Sequence, residues 1–316
     1  MKKEKVNRSP LFYVGDKYKL IKEIKGYFPV SINRFFEPFV GGGSVFLNVK
    51  SKEYFLNDID THVIELHKFL CSHVDRADKL FKVIFSLIDK YSLSCSYKED
   101  IVPEELKKQY KKTYYSRFNK TNYTKLKDFY NKSSARNIAE LYVLLIYGFN
   151  RMLRFNSKGE FNLPVGNVDF NKNVYDALCN YFEINRNRQI HWSSLDFRDF
   201  FSSIIWQEGD FVYLDPPYLI TFSEYNKYWN EQTESDLLAH IDDLNSKCIK
   251  FAVSNVTHYK GKVNNLFLEW AEKYKVHSIS SNYISYHDNT IKDFKEVLVT
   301  NYINEKKRNK GSNRAQ

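Results

Sequence analysis

Residues 34–60, RFFEPFVGGGSVFLNVKSKEYFLNDID, constrain the fold more than any other stretch. RFFEPFVGG (34–42) and EYFLNDID (53–60) read as short strands, and SVFLNVK between them is expected to open a helix. Strand, glycine turn, helix and strand within about 25 residues make one parallel βαβ unit. A second helical period, THVIELHKFL (61–70), follows it, and KYKLIKEIKGYF (17–28) precedes it with helical apolar spacing.

Alternation of this kind returns only near residue 189. QIHWSSLDF, DFVYLDPPY, CIKFAVSN and KEVLVTNY (295–302) read as strands, and TESDLLAHIDDLN as a helix with Thr233 at its N-cap. The stretch 71–188 differs. It holds two strong helical periods, DKLFKVIFSLIDKY and IAELYVLLIYGF, with a lysine- and aromatic-rich run from Lys107 to Arg136 between them. NRMLRFNSKGEFNLPVGN (150–167), centred on Lys158-Gly159, reads as a hairpin. The expected organisation is an α/β domain built from 1–70 and 189–303, interrupted by a largely helical insertion, 71–188. A basic tail, 304–316, has the composition of a disordered segment. At 316 residues the chain can bury one large core or two modest ones.

The formal net charge of +10 and the pI of 9.1 suit an anionic partner, although a merely basic soluble protein would look the same. Cys71, Cys95, Cys179 and Cys248 are widely spaced and form no C-x-x-C pair. That speaks against a zinc site or a disulfide framework and fits a reducing cytoplasm. No signal peptide is evident, and the longest apolar run, LYVLLIYGF, is too short to cross a bilayer.

Two constellations could carry chemistry. In the first, glycines 41–43 between a strand and a helix would let the backbone approach a ligand closely. The dinucleotide fingerprint fails, because Phe46 stands where its third glycine belongs. Asp58, at the end of the next strand, could accept both hydroxyls of a ribose; a tight turn beside a solvated aspartate is the plainer reading. The second is Asp215-Pro216-Pro217-Tyr218, directly after an apolar strand. Both prolines lack N–H and have fixed φ, so the Pro216 carbonyl can be held beside the Asp215 carboxylate. Such a pair of acceptors suits the two N–H groups of an exocyclic amine, with Tyr218 stacking on its ring. A strand-terminating turn is the alternative.

EPFVGGGSVFLN, NDID, NRMLRFNSKGEFNLPVGN, DPPY and EVLVTNY occur in the order seen in DNA adenine-N6 methyltransferases of the Dam kind, the D12 class or alpha-group. The chain resembles that family from about Tyr13 to about Tyr302. The resemblance implies a Rossmann-like methyltransferase sheet with helices on both faces, plus a DNA-recognition insertion carrying a hairpin. It implies S-adenosylmethionine (SAM) as methyl donor and no metal. Tyr13 and Lys17 of YVGDK, where Asp16 replaces a family glycine, would contact SAM. Phe39 and Gly41, Gly42 and Gly43 would pack on its methionine part, Asp58 would hold the ribose, and Asp196 and Phe197 would flank the adenine. Asp215, also near the cofactor, would join Pro216, Pro217 and Tyr218 in handling a flipped adenine. Lys120, Phe149, Asn150, Arg151, Arg154 and Asn156 would meet double-stranded DNA, Arg154 being suited to a guanine edge and Phe149 to the gap left by flipping. Lys107, Lys108, Lys111, Lys112 and Arg117 would join Lys120 on phosphates, unless they form only a solvated face. A cognate restriction endonuclease is a conceivable partner, and a monomer or weak dimer is expected. Cytosine N4 or RNA as substrate, or a silent DNA-binding relative, are the competing readings.

Overall fold

Arg34 and Asp210 are register partners on neighbouring parallel strands, and their side chains form a two-pronged ion pair. Arg34 Nε donates to Asp210 Oδ1 at 2.7 Å and Nη2 to Oδ2 at 2.6 Å. Paired donors of this planar kind give charge-assisted bonds that fix geometry as well as adding energy. The pair marks the amino ends of two central strands, so whatever lies at their carboxyl ends is held in register by it.

The computed structural model describes residues 5–99, 101–221, 229–280 and 294–303. The expected tail, 304–316, lies outside the described residues. The elements begin with α1 (Ile21–Lys25), β1 (Arg34–Glu37), a 3-10 turn (Phe46–Asn48), β2 (Glu53–Asn57) and α2 (Thr61–Cys71). Next come α3 (Ala77–Lys90), α4 (Glu104–Gln109), α5 (Tyr114–Lys132), α6 (Ile138–Tyr147), a second 3-10 turn (Phe149–Arg151) and α7 (Lys172–Asn185). β3 (Gln189–Ser193), α8 (Phe197–Ser203), β4 (Asp210–Leu214), α9 (Glu231–Ser246) and β5 (Lys250–Tyr259) follow. The last are β6 (Lys262–Val263), α10 (Asn265–Ala271), β7 (Lys275–Ile279) and β8 (Phe294–Thr300).

The chain divides into two compact units. One comprises Lys19–Val40, Asn48–Ile59 and Arg188–Gln316; the other comprises Met1–Tyr18, Gly41–Leu47 and Asp60–Asn187.

The first unit holds the whole sheet, in the order β3-β2-β1-β4-β5-β8-β7, with β6 paired to β5. β3, β2, β1, β4 and β5 run parallel, and β8 lies antiparallel between β5 and β7. This is a mixed α/β, Rossmann-like sheet. Every residue of β4 is buried, which explains why DFVYL reads as a continuous apolar run rather than an alternation. Phe197, Phe200, Leu237, Ile241, Phe251 and Phe267 belong to one core that α8, α9 and α10 build with the strands.

The second unit is helical. α6 is buried along its whole length and packs against α2, α3 and α5. Its tyrosines still satisfy their hydroxyls: Tyr142 donates to Pro10 O at 3.1 Å and Tyr147 to Ser94 O at 2.6 Å.

Three expectations are corrected. SVFLNVK forms only the 3-10 turn Phe46–Asn48: β2 already begins at Glu53, and so short a buried link does not repay the costly first turn of a helix. α1 covers only five residues, Ile21–Lys25, with Gly26 as its C-cap. The N-cap of α9 is Asn230, whose side chain accepts from the Thr233 N–H at 3.0 Å; Thr233 is the capped donor, inside the first turn.

Candidate active site

In the sheet-bearing unit, the strand order reverses between β1 and β4, and ligands of open α/β sheets sit outside the carboxyl ends there. Four neighbouring strand ends each deliver candidate residues. Phe39 follows β1, Asp58 follows β2, Asp196 and Phe197 follow β3, and Asp215 follows β4.

Asn57, which the sequence reading passed over, ties three of these ends together. Fully buried, its Nδ2 donates to Pro38 O at 3.1 Å and Leu195 O at 3.0 Å. Its Oδ1 accepts from the Ser193 hydroxyl at 2.8 Å and the Leu195 N–H at 2.9 Å. All four hydrogen-bonding positions of the amide are used, a strong local specification of the site edge. The only sequence signal was an asparagine closing an apolar strand.

Asp58 is half-buried, its carbonyl accepting the Ser194 hydroxyl at 3.0 Å. Asp196 caps α8 by accepting from the Arg198 N–H at 2.9 Å, and its carboxylate also meets the Arg198 guanidinium at 3.1 Å. Arg198 bonds Asp236 at 2.6 Å as well, so the Asp196 carboxylate is held by its own helix. Phe197 is buried, packing on Phe39 and His240.

Asp215 is half-buried and Pro216 buried. The Tyr218 hydroxyl donates to Asp215 Oδ1 at 2.7 Å, and the Thr221 N–H closes the turn by donating to Tyr218 O at 3.1 Å. Burial first, then the Asp215 carboxylate, pushes the Tyr218 phenol well above the ordinary tyrosine range, so it stays a donor. The proline kink therefore presents a carboxylate already oriented through one of its oxygens.

In the helical unit, the glycine loop is built for close approach. Gly41 and Gly43 have φ of +46° and +76°, and a Cβ on Gly42 would lie 2.6 Å from the Tyr13 Cβ. A Cβ on Gly43 would lie 2.3 Å from the Phe46 ring, so the residue that broke the fingerprint packs directly on the loop. Lys17 is buried. Asp16, in the glycine's place, accepts the Tyr18 N–H at 3.2 Å through Oδ1, and burial raises its carboxyl above the usual range.

His67 of α2 is a second residue the sequence did not announce. Its Nε2 lies 2.9 Å from Gly41 O and must carry the hydrogen, leaving Nδ1 to accept the Tyr181 hydroxyl at 3.2 Å. Burial pulls its pKa down to about 4. Unfolded, the ring titrates near 6.5, so the unfolded chain binds more protons between those values and stability falls as pH drops through that window. The effect is at most about 3 kcal/mol. Denaturant melts from pH 7 to pH 4 are expected to lose that slope in His67→Gln; an unchanged slope would assign it to other groups.

The hairpin of the same unit is closed by antiparallel bridges Gly148–Val165 and Phe155–Phe161. Phe149 and Asn150 are exposed just beyond α6, and Asn150 and Arg151 take φ of +52° and +51°. Arg151 turns inward: its guanidinium stacks 4.1 Å over Phe12, and burial lowers its pKa to about 10. Arg154 spans the hairpin, donating through Nε to Asn162 Oδ1 and through Nη2 to Asn162 O, both at 2.9 Å. Asn156 pins the turn by accepting from the Lys158 and Glu160 N–H groups. Lys107 pairs with Glu104 at 2.7 Å and Arg117 lies over Tyr110, whereas Lys108, Lys111, Lys112 and Lys120 are exposed.

Among the described residues, no group of three or more His, Cys, Asp or Glu could hold a metal ion, and no helix is long and apolar enough to cross a membrane.

A family model for D12 class N6 adenine-specific DNA methyltransferases matches residues 13–285. The chain belongs to that family. Among its relatives, modification methylase StsI of Streptococcus sanguinis is 35% identical over 311 residues, 95% of this chain and 43% of the relative. Type II methyltransferase M.FokI of Planomicrobium okeanokoites is 34% identical over 307 residues, 94% of this chain and 43% of the relative. The DNA adenine methylase of Escherichia coli (strain K12) is 27% identical over 297 residues, 88% of this chain and 91% of the relative. This D12-family chain thus spans less than half the length of the first two relatives.

Proposed function

We propose that the chain transfers a methyl group from SAM to N6 of an adenine flipped out of double-stranded DNA. The observation that carries this reading is Asp215-Pro216-Pro217-Tyr218 at the carboxyl end of β4, beside β1, where the strand order reverses. SAM, when bound, supplies an electrophilic methyl on a sulfonium. The glycine loop fits close approach of its methionine part, with Tyr13 packed against Gly41 and Gly42 and the buried Lys17 four residues further along the chain. Asp58 suits a ribose, and the β3 end around Asp196 and Phe197 suits its base.

Adenine N6 is a poor nucleophile because its lone pair is delocalised into the ring. Asp215 and the Pro216 carbonyl would accept its two hydrogens and favour a more tetrahedral nitrogen, whose lone pair points at the methyl carbon. Transfer would leave the C–S electron pair on the donor sulfur as N6 bonds the methyl carbon, and the extra N6 proton would pass to Asp215 or to water. Positioning and electrostatics provide most of the acceleration. Flipping costs a few kcal/mol, partly recovered by stacking on Tyr218.

On the DNA side, Phe149 and Asn150 would meet the duplex at the flipped base, Arg154 would read a base edge, and Lys108, Lys111, Lys112 and Lys120 would contact phosphates. Arg154→Ala is expected to relax preference at one base pair by about 1–3 kcal/mol, measured as methylation rates on duplexes varied one position at a time. A uniform loss on every duplex would make it a phosphate contact or a hairpin brace instead. A cytoplasmic enzyme of DNA modification, acting as monomer or weak dimer alongside a cognate endonuclease, completes the reading.

Incubation with DNA and isotope-labelled SAM, followed by mass spectrometry of the nucleosides, tests it. Label in N6-methyladenine supports the proposal. Label in N4-methylcytosine would shift the substrate, and none would leave a silent DNA-binding relative.

A further inference from the structure

The motif EVLVTNY contributes a buried carboxyl that the mechanism above does not use. Glu296, on β8, is 2% exposed, and its register partners, Val256 on β5 and Ile279 on β7, are apolar. Placing a carboxyl there costs free energy unless a polar group compensates. One compensating group is catalytic in the proposed reading: Glu296 Oε1 lies 3.4 Å from the Tyr218 hydroxyl oxygen, 78 positions earlier in the chain.

A phenol has one proton. Here it goes to Asp215 Oδ1 at the shorter distance of 2.7 Å. Two oxygens, Tyr218 Oη and Glu296 Oε1, then face each other, and that contact is attractive only when the glutamic acid carries a hydrogen. The nearby Tyr213 hydroxyl of β4 is already paired with Ser254 Oγ at 2.9 Å.

We infer that Glu296 is a positioning residue for the amine clamp: as a neutral acid it donates to the Tyr218 hydroxyl, which donates to Asp215. Both hydrogen bonds then run toward the Asp215 carboxylate and fix its rotation, and in-line donors of this kind strengthen one another. The assignment rests on Asp215 being the acceptor of the adenine amine, and extends it to the phenol of Tyr218 and to β8.

The experiment compares the full chain with Glu296→Gln, Glu296→Met, Tyr218→Phe and the double variant Tyr218→Phe/Glu296→Met, using labelled SAM and unmethylated mixed-sequence duplex DNA. An amide still donates, so Glu296→Gln is expected to keep kcat within about threefold. Glu296→Met keeps the volume but removes the donor. It is expected to lower kcat about tenfold with KM for SAM and DNA unchanged, and with a melting temperature unchanged or raised, as apolar replacements of buried carboxyls often give. In the Tyr218→Phe background the same change is expected to cost less than about twofold. Equal losses in Glu296→Gln and Glu296→Met, or a full tenfold loss in the double variant, would overturn the inference. If the unaltered chain methylates nothing, the functional reading fails on that result alone. The cycle read by thermal melting still decides whether Tyr218 and Glu296 are coupled: non-additive shifts support the hydrogen-bond chain and additive shifts overturn it.

Discussion

Asp215→Ala is expected to cut methyl transfer by about a thousandfold or more while leaving DNA affinity within about threefold. The carboxylate is placed by the β4 strand, by the proline pair after it and by the Tyr218 hydroxyl at 2.7 Å, so its removal deletes an acceptor and not a core contact. The loss should fall on kcat, because an acceptor that strengthens as N6 becomes tetrahedral acts in the transition state more than in the bound ground state. Single-turnover rates with saturating SAM and DNA isolate that step. Undiminished turnover would sink the clamp assignment.

Gly43→Val is expected to destroy SAM binding and to cost roughly 3 kcal/mol or more of stability. Its φ of +76° disfavours any side chain, a β-branched one most of all, and the new Cβ would lie 2.3 Å from the Phe46 ring and 2.9 Å from His67 Cε1. Both neighbours are buried and cannot swing away. Gly159→Ala is the matched control. It has φ of +70° but nothing within 4 Å of the added carbon, so only the backbone term remains, about 1 kcal/mol. Calorimetric titration with SAM and denaturant melts separate the two effects. A Gly43→Val chain that bound SAM normally would show that the loop does not face the cofactor.

Much of this was legible before any coordinates. The parallel strands at 34–37 and 53–57, the strands at QIHWS and DFVYL, and the long helices of the insertion follow from apolar period, which survives wherever one face or both are buried. The strand-end position of Asp215 follows from its place after a fully apolar run. What period could not supply is the identity of the side chains that hold the site in shape. Asn57, His67 and Glu296 are polar residues whose partners lie far away in sequence, from Leu195 to Tyr181 to Tyr218, and no local pattern encodes those pairings. The helix expected after the glycines failed for a related reason: all-round burial of 45–49 looks like helical apolarity in one dimension. Arg151 shows that sequence position leaves side-chain direction open: beside Arg154 in a hairpin it reads as a DNA contact, and its guanidinium stacks on Phe12.

The most direct test of the central claim is single-molecule sequencing of DNA from cells expressing the chain, set against cells expressing Asp215→Ala. The account predicts N6-methyladenine at nearly every copy of one short sequence with the unaltered chain, and none with the variant. Modification of cytosine instead of adenine, or adenine methylation that persists without Asp215, would contradict it.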